Sequence, residues 1–294
     1  MKYLVTGASG FAGGYLADEL VAEGHDVVGI VRRPGALRSR AVTERVADLQ
    51  NPKPFQAVVA ETDPDGIFHL AAPFASAQEA EERPDEAIAA NLETTRTVLE
   101  AARLHGNKRV LFTSSIQAED PQNAYGRSKK SGEELLESYR AKHGTPSLIV
   151  RPSNHIGPGQ TDLRYVAALF VRKVLKAEQD GSGEVTAYGL DETRDFTDVR
   201  DMVRAYSLVM GKGEAGACYP IASGKEVSLR TVLELLTGHS AATINIVEGD
   251  AGNPTPRTSA RPDTSEIFAL GYQPRIPLQQ TLADMLDAAR EDSK

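Results

Sequence analysis

The chain has 294 residues, 40% hydrophobic and 25% charged, with 33 Lys and Arg against 41 Asp and Glu for a net charge of −8. This is the composition of a folded chain long enough for one large α/β domain or two interleaved lobes, and its acidic balance argues against a general nucleic-acid or membrane-surface binder. A single cysteine, Cys218, excludes an intrachain disulfide framework and a Cys-rich zinc site; in the apolar run 217–221 it reads as a buried, inert thiol.

The opening MKYLVTGASG runs straight into glycines and does not read as a signal peptide. No apolar run approaches the ~20 residues that span a bilayer, so the default location is cytoplasmic. Strands are predicted at Tyr3–Thr6, Asp26–Val31, Arg45–Ala47, Gly66–Leu70, Arg109–Thr113 and Ser147–Val150. Between them, helices are predicted at Phe11–Glu23, around Phe55–Ala60, at Pro84–His105 and at Ser128–His143; Ile88, Leu92, Thr95 and Leu99 share one face of the long third helix. Alternating apolar strands and helices predict an α/β fold of Rossmann type: a doubly wound parallel sheet covered on both faces. After Pro152 glycines and prolines punctuate the chain, with helical patterns at Leu163–Ala177, Asp201–Met210, Ser228–Leu236 and Leu278–Ala289. We expect a dinucleotide-binding domain at 1–155 and a smaller α/β substrate-binding lobe at 156–294, with parts of 193–221 returning to the first domain.

Gly7-Ala8-Ser9-Gly10-Phe11-Ala12-Gly13 joins the first strand to the first helix. In that context glycines serve a tight turn, close backbone approach to a pyrophosphate and tight helix–strand packing, while the helix end offers N–H groups and a positive dipole to phosphate. An NAD site usually carries an acid at the end of the second strand; here that strand ends Val31-Arg32-Arg33-Pro34. Two guanidiniums suit a 2′-phosphate, which predicts NADP(H), with NADH as a weaker substitute; the alternative is a pair of solvated arginines. Asp48, followed by Leu49, stands where it can meet the adenine amino group or cap its own loop.

Tyr125 and Lys129 are four residues apart at the start of a helix, hence one turn apart on one face. A free tyrosine titrates near ~10, and a neighbouring ammonium favours its phenolate. Thr113-Ser114-Ser115 ends the preceding strand, where its hydroxyls would meet a nicotinamide. The six histidines show no metal-ligand spacing, and no metal is expected.

Together Gly7…Gly13, His69-Leu70-Ala71-Ala72, Thr113-Ser114-Ser115, Tyr125-x-x-x-Lys129 and Arg151-Pro152-x-Asn154 resemble the extended short-chain dehydrogenase/reductases that act on nucleotide sugars, over nearly the whole chain. The resemblance implies that Tyr125 exchanges a proton with a sugar oxygen, Ser115 hydrogen-bonds that oxygen, and Lys129 tunes Tyr125 and holds the nicotinamide ribose. It implies cofactor contacts from Gly7, Ser9, Gly10, Phe11, Ala12, Gly13, Leu49, Leu70, Ala71, Ala72 and Thr113, a structural Asn91, and a homodimer through the 84–105 and 128–143 helices. Two stretches, Arg151–Gln160 and Thr193–Asp201, further resemble GDP-6-deoxy-D-mannose reductases. That implies NADPH-dependent reduction of the C4 ketone of a nucleotide-linked 4-keto-6-deoxyhexose, GDP-4-keto-6-deoxymannose being favoured and GDP-D-rhamnose the product.

A 4,6-dehydratase needs a further acid/base pair, usually an acid just after the catalytic hydroxyl; Ser115 is followed by Ile116-Gln117, although Glu119 and Asp120 lie close behind. The segment between Ser115 and Tyr125 is shorter than in many members of the family, which opens one wall of the sugar pocket. Gln117, Asn154 and Arg194 are substrate-binding candidates, and Arg257 a weaker one. Arg194 can instead pair with Asp195 or Asp198, Arg257 and Arg172 can face solvent, and His155 can line the nicotinamide end or simply pack. A 4-epimerase of nucleotide-diphosphate sugars and a non-catalytic NADP-sensing protein stay open as alternatives; neither nucleic acid nor membrane is an expected partner.

Overall fold

The computed structural model describes residues 1–74, 76–249 and 262–293. β1 (Lys2–Thr6) passes through the glycine turn into α1 (Phe11–Ala22), followed by β2 (Asp26–Val31), β3 (Thr43–Val46), α2 (Pro52–Thr62) and β4 (Gly66–His69). A short α3 (Ala77–Glu82) precedes α4 (Pro84–Leu104), β5 (Arg109–Thr113), a 3₁₀ turn at Ile116–Ala118, α5 (Ala124–His143) and β6 (Ser147–Pro152). Then come β7 (Asn154–Ile156), α6 (Val166–Asp180), β8 (Glu184–Ala187), β9 (Thr193–Asp198) and α7 (Val199–Lys212). β10 (Cys218–Ile221), β11 (Glu226–Ser228), α8 (Leu229–Gly238), β12 (Asn245–Glu248), α9 (Ser265–Ala269) and α10 (Leu278–Glu291) complete the order.

The chain forms two units. The first comprises Met1–Pro152, Met202–Ile221 and Asp263–Tyr272. Among the described residues its sheet has seven strands in the order β10-β6-β5-β4-β1-β2-β3, every neighbouring pair parallel. Leu4, Val5, Ile67, Phe68, Val110, Leu111, Leu148 and Val150 are inaccessible to solvent, as strands covered on both faces must be. This is the expected doubly wound Rossmann-type α/β fold. β1 lies between β2 and β4, so the strand order reverses there, and the crevice beyond the carboxyl ends of β1 and β4 is the switch point at which such sheets bind ligands.

α5 begins four residues before the predicted Ser128. Asn123 caps it, its side chain accepting from Gly126 N at 2.8 Å, so Tyr125 falls in the first helical turn. α4 packs along α5, and the buried Asn91 ties the two, its Nδ2 donating to Ser128 Oγ (3.0 Å) and Phe74 O (3.3 Å) while its Oδ1 accepts from Phe74 N (3.3 Å).

The second unit comprises Ser153–Asp201, Ala222–Pro262 and Gln273–Lys294. β9 pairs in parallel with β7 and antiparallel with β11, and β8 pairs in parallel with β12. Phe170, Val174, Val232, Leu233, Leu282 and Leu286 from α6, α8 and α10 form its core. The long segment of the first unit ends at Pro152, three residues before the expected 155; Met202–Ile221 lies within the 193–221 stretch, and Asp263–Tyr272, outside it, also joins the first unit. No helix among the described residues is long and apolar enough to cross a membrane.

Candidate active site

At the switch point Gly7 adopts φ +72°, and Gly10 N donates to Gly7 O at 2.9 Å to close the turn. A Cβ on Gly13 would lie 2.1 Å from Gly7 O, so the helix can rest on the turn only if that position is glycine. Gly10 is the N-cap of α1; no side chain caps this end and no acid occupies the first turn, which leaves it open to an anion.

The segment after β4 is pinned against this turn. Ala71 N donates to Thr6 Oγ1 (3.2 Å), which bonds His69 Nδ1 (2.9 Å); His69 Nε2 bonds Thr95 Oγ1 (3.2 Å), which donates to Asn91 O (2.8 Å). Thr95 spends its proton on Asn91 O, so it accepts from His69 Nε2–H, and Nδ1 accepts from Thr6. Burial lowers the His69 pKa to about 3, so the ring is neutral, as this chain of bonds requires. The residue motifs had assigned no role to His69, Thr6 or Thr95; the histidine ahead of Leu70-Ala71-Ala72 was the available signal.

Ser115 lies buried two residues beyond the end of β5 and caps the 3₁₀ turn, its Oγ accepting from Gln117 N at 3.2 Å. Tyr125 and Lys129 project from α5, the Lys129 Nζ 5.7 Å from the Tyr125 ring centre and 5.3 Å from that of Phe112. Lys129 Nζ donates to Thr113 O at 2.9 Å. Burial lowers the ammonium to about 8, opposed by the Glu133 carboxylate. All these groups belong to the first unit. A cavity of about 240 Å³ elsewhere in that unit, lined by residues of α5, β6 and β10, includes neither Ser115 nor Tyr125.

Arg32 and Arg33 stand exposed beyond β2, and among the described residues neither pairs with a carboxylate. The turn after them is held by Glu44, whose carboxylate accepts from Gly35 N (2.8 Å) and Ala36 N (3.1 Å). Asp48 Oδ1 accepts from Gln50 N at 3.0 Å, a loop cap, and the Leu49 side chain is buried with Phe55 in the core.

Gln117 is exposed, its Oε1 taken by Asn123 Nδ2 at 2.8 Å. Asn154 and Arg194 lie in the second unit, on the paired strands β7 and β9. Asn154 Nδ2 donates to Asp195 O (3.2 Å). Arg194 pairs with Glu192 at 2.7 Å rather than with Asp195 or Asp198, while its Nε is buried without a hydrogen-bond partner among the described residues. Residues i and i+2 of an extended chain share a face, which turns Arg194 toward Glu192 and away from Asp195. Burial lowers His155, and Arg172 is exposed. Cys218 is partly exposed rather than fully buried, and desolvation still pushes its thiol up to about 11. Arg257 lies outside the described residues. Among the described residues no group of three His, Cys, Asp or Glu is placed to hold a metal.

The profile of the NAD dependent epimerase/dehydratase family matches residues 3–222. The chain is 31% identical to GDP-6-deoxy-D-mannose reductase of Pseudomonas aeruginosa, the alignment covering 97% of this chain and 96% of that protein. It is 29% identical to UDP-glucose 4-epimerase of Mycolicibacterium smegmatis across the full length of both. The structure of UDP-glucose 4-epimerase with UDP-glucose from Thermotoga maritima superposes with a TM-score of 0.88 at 25% identity, covering 100% of both chains. That of RMD from Pseudomonas aeruginosa complexed with NADPH gives 0.83 at 28%, covering 99% of both. The chain belongs to the NAD-dependent epimerase/dehydratase family, the extended short-chain dehydrogenase/reductases, and is an oxidoreductase-type enzyme that works with a pyridine nucleotide.

Proposed function

We propose that this enzyme is an NADPH-dependent reductase of the C4 ketone of a nucleotide-linked 4-keto-6-deoxyhexose, with GDP-4-keto-6-deoxymannose favoured and GDP-D-rhamnose as product. The observation that carries this reading is a buried Lys129 beside Tyr125, with Ile116 and Gln117, neither of them an acid, following Ser115. The full-length similarity to a GDP-6-deoxy-D-mannose reductase supports the substrate.

The residues present fit the cofactor. The uncapped start of α1 suits a pyrophosphate, and two arginines unpaired among the described residues, with no acid at the end of β2, suit a 2′-phosphate better than a free ribose hydroxyl. Bound there, reduced nicotinamide supplies the hydride for the ketone carbon. Ser115 Oγ hydrogen-bonds the ketone oxygen and polarises it. Tyr125 gives its hydroxyl proton to that oxygen as the alcohol forms. The Lys129 ammonium stabilises the phenolate left behind, and Thr113 O keeps it in reach. Reduction asks for no further acid/base pair. Asn154 and Arg194 are the substrate-diphosphate candidates; the unpartnered Arg194 Nε supports the second, because a buried donor gains most from an anion.

The reading is tested by NADPH consumption with GDP-4-keto-6-deoxymannose and, separately, with its dTDP and UDP counterparts. Fastest turnover of the GDP sugar is expected; no oxidation with any of them refutes a reductase. The full-length similarity to UDP-glucose 4-epimerases favours a second reading, a 4-epimerase. Nicotinamide that survives dialysis and needs no replenishment is its signature.

A further inference from the structure

We propose that Glu133 is a positioning residue for the reaction: its carboxylate ties the segment that leaves β5 and carries Ser115 to the helix that carries Tyr125 and Lys129, and holds Lys129 as the ammonium. The inference rests on the Ser115–Tyr125–Lys129 reading above.

Glu133 is 5% exposed and lies four residues after Lys129 on α5, one turn further along the same face. Its Oε1 accepts from Ser114 Oγ at 2.6 Å and from Arg151 Nε at 2.8 Å; its Oε2 accepts from Arg151 Nη2 at 2.7 Å. Ser114 precedes Ser115 and is itself 1% exposed, with its N–H donating to Val150 O at 2.8 Å. One carboxylate therefore joins β5, α5 and β6, the three elements that set the distance between Ser115 and the Tyr125–Lys129 pair. A fork-to-fork guanidinium–carboxylate pair fixes orientation as well as distance.

The charge matters as much as the tether. Lys129 is buried and donates to an uncharged carbonyl, Thr113 O. It is faced by Tyr125 on its own helix, by the neutral His69 of β4, and by Glu133. Glu133 is thus the anion that offsets its desolvation. Glu133 is in turn faced by Arg151 from β6, by Lys130 at 3.7 Å on its own helix, and by the uncharged Cys218 of β10. Without the carboxylate, Lys129 loses its compensation and Ser114 its anchor.

Removing one partner of a buried ion pair leaves the other uncompensated, so Glu133→Gln alone is expected to unfold at a lower temperature. The Glu133→Gln/Arg151→Met double variant removes both charges and relieves that penalty. The first readout is the titration of Lys129 in the full chain without substrate, followed by NMR of isotope-labelled lysine side chains, the signal assigned with Lys129→Arg. In both Glu133 variants the Lys129 midpoint should fall by about one pH unit or more. The second readout is the alkaline limb of kcat for NADPH with GDP-4-keto-6-deoxymannose. It should move down by the same amount in the double variant although the thermal midpoint has recovered, with KM for NADPH little changed. Ser114→Ala, which keeps the ion pair, should lower kcat several-fold without moving the limb. An unmoved Lys129 midpoint, or a double variant whose pH profile recovers with its stability, overturns the proposal. A Tyr125→Phe variant that keeps its activity refutes the catalytic reading instead, and leaves the NMR result to stand alone.

Discussion

The Lys129 ammonium nitrogen stands 5.7 Å from the centre of the Tyr125 ring, one helical turn along α5, and is anchored to Thr113 O at 2.9 Å. The anchor holds the cation beside the phenol. If Tyr125 is the proton donor, Tyr125→Phe should lower kcat by about 10²- to 10⁴-fold, the range a positioned general acid contributes, with NADPH affinity nearly unchanged in a fluorescence titration. Activity within tenfold of wild type would remove Tyr125 from the role.

Lys129 carries its charge below a pKa of about 8 and loses it as pH rises through that value. In the proposed reaction the phenolate left at Tyr125 then lacks its counter-charge, so kcat should decline above pH about 8. A profile of kcat at saturating NADPH and sugar nucleotide measures this. A plateau extending to pH ~10, where an unperturbed lysine titrates, would mean that Lys129 does not govern the step.

Arg32 and Arg33 are the proposed 2′-phosphate ligands, and among the described residues neither has a carboxylate partner. Replacing both with alanine should weaken NADPH binding by at least 10- to 100-fold, from about 1.5–3 kcal/mol per charged hydrogen bond, and leave NADH within a few-fold of its starting value. Isothermal titration of the two nucleotides distinguishes this from equal losses, which would assign the arginines to general electrostatics.

His69 is neutral in the folded chain until pH reaches about 3, whereas an unfolded imidazole binds a proton below ~6.5. Between those values the unfolded state holds more protons, so stability falls as pH falls, with His69 contributing ~1.4 kcal/mol per pH unit. His155, also lowered by burial, acts in the same direction. His69→Gln should be less stable at neutral pH, because the bonds to Thr6 and Thr95 are disturbed. Its urea-unfolding free energy should nevertheless fall less steeply between pH 6 and 4; a slope equal to that of wild type would contradict the buried neutral ring.

Much of the first unit was legible in the residues because its physics is local. β2 and β5 fall on their predicted limits, as short β-branched runs buried on both faces of a parallel sheet do. The glycine turn was legible for a steric reason, since Gly13 meets Gly7 O where no side chain fits. The second unit resisted. β9 reads Thr-Arg-Asp-Phe-Thr-Asp, a poor strand by composition, and is held by polar satisfaction: Asp195 accepts from Ser223 N, and Asp198 from Thr281 Oγ1 and Arg200. Such partners lie far apart in sequence or depend on the pleat, which is also why the Arg194–Glu192 pair was missed. α3, six residues rich in Ala and Glu, is too short for a periodic signal. Glu133 was invisible for the same reason as β9, because Ser114 and Arg151 meet it only in the folded sheet.

The proposed reaction is reduction of a nucleotide-linked 4-keto sugar at the Tyr125–Lys129 pair. Its most direct test mixes the purified enzyme with limiting GDP-4-keto-6-deoxymannose and excess NADPH, follows nicotinamide absorbance to completion and identifies the sugar formed. One NADPH should be consumed per sugar nucleotide, with a 4-hydroxy product, GDP-D-rhamnose. Sugar converted with no net loss of NADPH, or no conversion of this or any other nucleotide 4-keto sugar, would contradict it.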